Sequence, residues 1–99
     1  MRVVVYILGF PLKHSLSPVF QQAAFDHYGL DLRYQAWEVP PAGLGEAVAR
    51  LRGPAALGAN VTVPHKEAVI PLLDGVEDTA REIGAVNTIV KQDGALMGY

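Results

Sequence analysis

Apolar residues fall along this chain in two alternating rhythms. Val3 to Leu8 is an unbroken apolar run, as expected of a strand covered on both faces, and Gly9, Phe10 and Pro11 end it. A polar loop, Leu12 to Pro18, follows. Its last two residues form a strong helix start, because Ser17 offers an N-cap oxygen and Pro18 suits the first helical position. Val19, Phe20, Ala23, Ala24, His27 and Tyr28 then recur on one helical face, and Gly29 stops the helix. Leu32, Tyr34 and Ala36 alternate with Arg33, Gln35 and Trp37, which predicts a strand over Leu32 to Val39, broken by Pro40 and Pro41. Leu44, Ala47, Val48 and Leu51 mark an amphipathic helix, closed by Gly53 and Pro54.

Leu57 to Val63 is a third strand candidate, stopped by Pro64. A short helical stretch runs from about His65 to Leu73, limited by Pro71, and another lies around Glu77 to Ile83 before Gly84. The tail, Ala85 to Tyr99, predicts a hairpin about the turn dipeptide Asp93-Gly94. Alternation of strand and helix implies a parallel sheet with helices on both faces. The expected fold is therefore an α/β three-layer sandwich. Its sheet is mostly parallel, with one antiparallel strand supplied by the C-terminal hairpin.

Composition narrows this picture. Ninety-nine residues suffice for one domain, residues 1–99, and one modest core. With 51% hydrophobic and 18% charged residues the chain is not a disordered segment. The run Val3 to Leu8 is too short to span a bilayer. Arg2 precedes it as in a signal peptide, but the run is β-branched and leads into Pro11-Leu12-Lys13-His14 without a small-residue cleavage site, so it reads as a strand. The formal charge of −2 is spread along the chain without a basic block, which argues against a nucleic-acid partner. The absence of cysteine removes disulfides, thiolate metal sites and a cysteine nucleophile, and fits a reducing cytoplasm. His14, His27 and His65 share no close metal-ligand spacing, so no metal is expected.

In open α/β sheets ligands collect at the carboxyl ends of the parallel strands. Three polar clusters fall on that edge. Ser15 and Ser17 sit where the first loop enters a helix, and two hydroxyls beside free helix N–H groups suit a carboxylate or phosphate. The plainer alternative makes Ser17 an N-cap and Ser15 a solvated loop residue. Asn60 and Thr62 alternate with Val61 and Val63 and point the same way, and Lys66 follows near a helix start. The positive end of a helix dipole and partial burial both disfavour a charged ammonium, a setting that suits a general acid/base lysine. A surface lysine opening a short helix is the competing account. His65 is expected to be structural, its side chain pointing away from that of Lys66. Asn87 and Thr88 interrupt an apolar stretch, and Asn87 reads equally as backbone-bonded or ligand-binding. Gly43-Leu-Gly45 precedes a helix as a dinucleotide loop would, but it lacks the third glycine and reads as helix-start glycines.

Together and in order, Gly9-Phe-Pro-Leu-Lys-His-Ser-Leu-Ser-Pro18, Asn60-Val-Thr-Val-Pro-His-Lys66, Gly84-Ala-Val-Asn-Thr88 and Gly98-Tyr99 resemble the substrate-binding domain of shikimate dehydrogenase. The resemblance covers essentially the whole chain. It implies reduction of 3-dehydroshikimate to shikimate with NADPH, in aromatic amino acid biosynthesis. Ser15 and Ser17 would hold the substrate carboxylate. Asn60, Thr62, Lys66 and Asn87 would hold ring hydroxyls, and Lys66 would be the catalytic lysine. NADP would be bound mainly by a second, Rossmann-type domain. In the family, Gly98-Tyr99 is followed by an Asn-Thr-Asp stretch whose aspartate pairs with the lysine. The 99 residues are accordingly expected to be the first domain of a longer enzyme and inactive alone. A quinate or dual quinate/shikimate dehydrogenase, and a non-catalytic module that binds a small hydroxy acid, are the competing readings.

Overall fold

The computed structural model describes residues 3–12 and 17–99, with Ser17 described through its backbone alone. Six strands form one sheet: β1 (Val3–Gly9), β2 (Leu32–Glu38), β3 (Ala56–Val61), β4 (Gly75–Val76), β5 (Thr88–Gln92) and β6 (Ala95–Gly98). Four helices accompany them among the described residues: α1 (Ser17–His27), α2 (Leu44–Leu51), α3 (His65–Ala68) and α4 (Asp78–Ile83). The strand order is β2-β1-β3-β5-β6-β4. β2 and β3 flank β1 in parallel, β5 runs antiparallel to both β3 and β6, and β4 pairs in parallel with β6. Only β5 is reversed, as the closing hairpin predicts. The turn residues Asp93 and Gly94 both have positive φ, 51° and 83°, the backbone that joins two strands by the tightest hairpin. The edge strand β4 has no counterpart in the periodicity, because two residues are too few to show one.

Local sequence explains most of these elements. Leu44, Ala47, Val48 and Leu51 of α2 are all buried, in the i, i+3, i+4, i+7 pattern of one helical face. α4 is capped at both ends: the Glu77 carboxylate accepts the N–H groups of Thr79 and Ala80, and Gly84 adopts the left-handed conformation after Ile83. Pro71 limits the stretch after Pro64 to the single turn α3 and a 3-10 turn, Ile70–Leu72.

Residues of opposite parity in β2 show that helices cover both faces. Tyr34 meets Phe25 of α1, their ring centroids 6.2 Å apart. Trp37 points to the other face, where Arg50 of α2 lies 5.1 Å from its ring centroid and Tyr6 packs against it. The core fills this second face. Leu8, Ala59, Val61, Ile89 and Leu96 of the sheet pack with Val48 and Leu51 of α2, Val69, Ala80 and Val86.

α1 docks on a different face from the one its apolar residues mark. Val19, Phe20 and Tyr28 are 65%, 67% and 75% exposed. Gln22 and Phe25 make the contact instead. The Gln22 side chain accepts from Tyr34 N–H at 2.8 Å and donates to the Leu32 carbonyl at 3.0 Å. β2 is an edge strand, so its outer backbone groups need partners, and one amide satisfies two of them.

A bidentate pair fastens the end of α2 to the hairpin. Arg52 Nη1 and Nη2 donate to Asp74 at 2.8 and 3.1 Å, and Leu96 N–H donates to Asp74 Oδ2 at 2.7 Å. The Arg52 hydrogen bonds, and then that of Leu96, hold the Asp74 carboxyl below its ordinary value. The Thr79 and Ala80 N–H groups do the same for Glu77. Each lowered carboxyl contributes stability that is present above its unfolded-state value, about 4, and is lost as pH falls through the folded-state value. The melting temperature is therefore expected to drop as pH falls below about 4, and less steeply in Asp74→Asn. Parallel melting-temperature curves for the two proteins would refute the assignment to Asp74.

Candidate functional site

Hydrogen bonds between strand ends tie the carboxyl edge of the sheet together. Thr62 N–H donates to the Leu8 carbonyl (2.9 Å), Phe10 N–H to Val63 (3.1 Å) and Val39 N–H to Gly9 (3.0 Å). The Phe10-Pro11 and Val63-Pro64 peptide bonds, both cis, lie side by side at this edge. Gly9 has no side chain where Thr62 packs: a Cβ there would overlap Thr62 Cγ2. A larger residue at position 9 would push the threonine out of its place.

His65 has the structural role expected of it. It is the buried polar side chain among the described residues, 1% exposed, and its Nε2 lies 2.5 Å from the Val39 carbonyl, to which it donates. Its own N–H donates to Thr62 at 3.0 Å. The turn that carries Lys66 is thus anchored to the ends of β2 and β3.

Lys66 and Asn87, 21 positions apart by their numbering, meet because Val86 N–H donates to the Lys66 carbonyl at 2.8 Å. Asn87 is held in turn by its backbone: its N–H donates to Tyr99 at 2.7 Å and its carbonyl accepts from Val61 at 2.7 Å. The backbone supplies the structural bonds, and the side-chain amide is left exposed. Lys66 and Asn87 line one open cleft of about 390 Å³ with Glu77, Ala80, Ile83 and Tyr99. Glu77 is committed to capping α4. No carboxylate among the described residues forms an ion pair with Lys66. An exposed asparagine and a half-buried lysine on a largely apolar wall can hold and protonate an oxygen of a small polyol or carbonyl compound.

Asn60 lies elsewhere than in this cleft. Its Oδ1 accepts from the Tyr34 hydroxyl at 2.7 Å, and its Nδ2 donates to Thr88 Oγ1 at 3.3 Å. Asn60 and Thr88 line an open groove of about 240 Å³ on the α1 face of the sheet. Thr62 follows Asn60 on the chain and leads towards Lys66. Ser15 lies outside the described residues, and Ser17 opens α1. Gly43 precedes α2 and Gly45 lies in its first turn with open space around it, so both are helix-start glycines.

Tyr34 escapes a search for ligand chemistry, because its alternation in β2 marks it only as an inward-facing strand residue. Glu77 and Tyr99 enter the cleft through the β4–α4 connection and the end of β6; Glu77 has no local motif, and Tyr99 stands in the Gly98-Tyr99 motif without a ligand role of its own.

The chain resembles known proteins along its full length. The family model described as shikimate dehydrogenase substrate binding domain matches residues 7–89. The shikimate dehydrogenase (NADP(+)) of Geobacillus kaustophilus is 50% identical over 99 residues, all of this chain and 36% of that protein. The crystal structure of shikimate dehydrogenase from Aquifex aeolicus superposes with a TM-score of 0.94 at 50% identity, over 99% of this chain and 37% of that one. The crystal structure of shikimate 5-dehydrogenase from Thermus thermophilus in complex with NADP(H) and shikimate gives 0.91 at 40% identity, over 97% of this chain and 36% of that one. The chain spans about a third of the length of these relatives. With the family model covering most of its residues and the fold superposing throughout, the chain belongs to the shikimate dehydrogenase substrate-binding domain family.

Proposed function

We propose that this chain is the substrate-binding domain of an NADP-dependent shikimate dehydrogenase, which reversibly reduces 3-dehydroshikimate to shikimate. The observation that carries this reading is the meeting of Lys66 and Asn87 in one cleft, with the ammonium not consumed by any described carboxylate. Lys66 Nζ gives a proton to the substrate carbonyl oxygen. NADPH, when bound, supplies the hydride to the carbonyl carbon, so the C=O double bond becomes C–H and O–H. Asn87 and Thr62 hold ring hydroxyls with Lys66, Asn60 reaches a hydroxyl from the groove on the α1 face rather than from the cleft, and Ser15 and Ser17 take the carboxylate. NADP is held by a second domain, for this chain has no glycine-rich dinucleotide loop. A cytoplasmic setting accords with the lack of cysteine; among the described residues no helix is long and apolar enough to cross a membrane.

The full-length protein, assayed by absorbance of the reduced nicotinamide, is expected to reduce NADP+ with shikimate and to be slower with quinate. The 99 residues alone, supplied with NADPH and 3-dehydroshikimate, are expected to show no turnover. Faster turnover of quinate would reassign the substrate. Binding of shikimate by a full-length protein that never oxidises it would support a non-catalytic hydroxy-acid module instead.

A further inference from the structure

Asn60 holds a substrate hydroxyl more tightly when its amide is oriented in advance, because ordering it on binding costs free energy. An asparagine amide has two N–H donors and two acceptor lone pairs, and it rotates freely unless some of these are committed. Here one lone pair is taken by the Tyr34 hydroxyl and one N–H by Thr88, which leaves one of each for a ligand. The bond from Tyr34 is a short, well-formed O–H···O contact at 2.7 Å. It crosses β1, the strand between β2 and β3.

Tyr34 is itself fixed from three sides. The residue is 6% exposed. Its backbone N–H is bound by Gln22 of α1 at 2.8 Å, and its ring meets Phe25 of the same helix edge-on. Burial pushes the phenol pKa up, so the hydroxyl keeps its proton and remains available as a donor. One rigid side chain with two torsions therefore connects the helix that Ser17 opens to the strand that carries Asn60, and through Asn60 to Thr88 on β5.

The geometry points to Tyr34 as a positioning residue for substrate binding: its hydroxyl orients the Asn60 amide and sets the spacing between the α1 end of the site and the β3–β5 end. This rests on the reading of the chain as a shikimate dehydrogenase and of Asn60 as a ligand of the substrate. Tyr34 touches no reacting atom, so its loss weakens substrate binding and leaves the proton transfer from Lys66 intact.

The test is steady-state kinetics of the full-length enzyme with shikimate and NADP+. Tyr34→Phe deletes one oxygen and is expected to raise KM for shikimate by about five- to tenfold, while kcat stays within about twofold and KM for NADP+ is unchanged. Asn60→Ala is expected to raise KM for shikimate at least as much. Tyr34→Phe added to Asn60→Ala should raise it by less than about twofold more, since the tyrosine acts only through that amide. Thr88→Val releases the same amide from its other side. It should reproduce the KM effect, and it serves if Tyr34→Phe does not fold. An unchanged KM in Tyr34→Phe, or additive effects in the double variant, would overturn the role of Tyr34 and leave the dehydrogenase reading standing. An unchanged KM in Asn60→Ala would remove Asn60 from the site and Tyr34 with it. A wild-type enzyme inert towards shikimate would overturn the dehydrogenase reading itself.

Discussion

Lys66→Ala is expected to lower kcat of the full-length enzyme by about 10²- to 10⁴-fold, the usual contribution of a positioned general acid. KM for shikimate should change far less, because the contacts proposed for Asn87, Thr62 and the serine loop do not involve the lysine. The expectation follows from the arrangement around the lysine. Lys66 is half-buried and lines a cleft shared with Glu77, Thr79, Ala80, Ile83, Ala85 and Tyr99, which the exposed Asn87 lines as well. The lysine backbone is pinned by Val86, and the preceding His65 is buried and bonded to Val39. Removing an interaction made mainly in the transition state lowers kcat and kcat/KM together. Lys66→Ala turning over at the wild-type rate would exclude the lysine as proton donor. A rise in KM alone would make it a binding residue.

The largest effect on stability is expected at Leu8. Its side chain is fully buried, 0% exposed, in the cluster where β1 meets α2, β3 and β5. Leu8→Ala removes buried methyl groups and leaves a cavity in a closely packed core, at a cost of about 3 kcal/mol. For a domain of this size that corresponds to a fall in melting temperature on the order of 10 °C or more. The consequence reaches the site, because the Leu8 carbonyl holds Thr62 N–H. Urea or thermal unfolding of the two proteins measures the difference. A loss below about 1 kcal/mol would mean that neighbouring side chains close the cavity, and that the core is less tightly specified than its burial indicates. An exposed position such as Glu82 gives the contrasting control, with an expected change within about 0.5 kcal/mol.

How much was legible in the sequence varied with the length scale of the signal. The face of α2 was readable because four apolar residues at helical spacing are also the four that become buried. The face of α1 was not. Val19, Phe20 and Tyr28 mark an apolar stripe, yet Gln22 and Phe25 make the contact. An unpaired edge strand offered the glutamine two hydrogen bonds, and hydrophobic spacing carries no record of what the opposing surface needs. The site divides in the same way. Asn60, Thr62, Lys66 and Asn87 were visible as polar residues at strand ends. That Lys66 and Asn87 share a cleft depends on the Val86 to Lys66 backbone bond. That Asn60 is held on the sheet face depends on Tyr34, 26 positions earlier by its numbering and two strands away.

What the amino-acid order determined by itself was the alternation of strands and helices, the Asp93-Gly94 hairpin, the absence of cysteine chemistry and the ordered motifs of one family. These are local properties, written in periodicity, in the φ preferences of glycine and proline, and in short runs of neighbours. The tertiary structure alone decided which polar residues meet, which side of α1 rests on the sheet, and which acid in the Lys66 cleft is already committed. Those outcomes turn on register between distant strands and on competition for unpaired backbone groups, and both exist only once the sheet has formed.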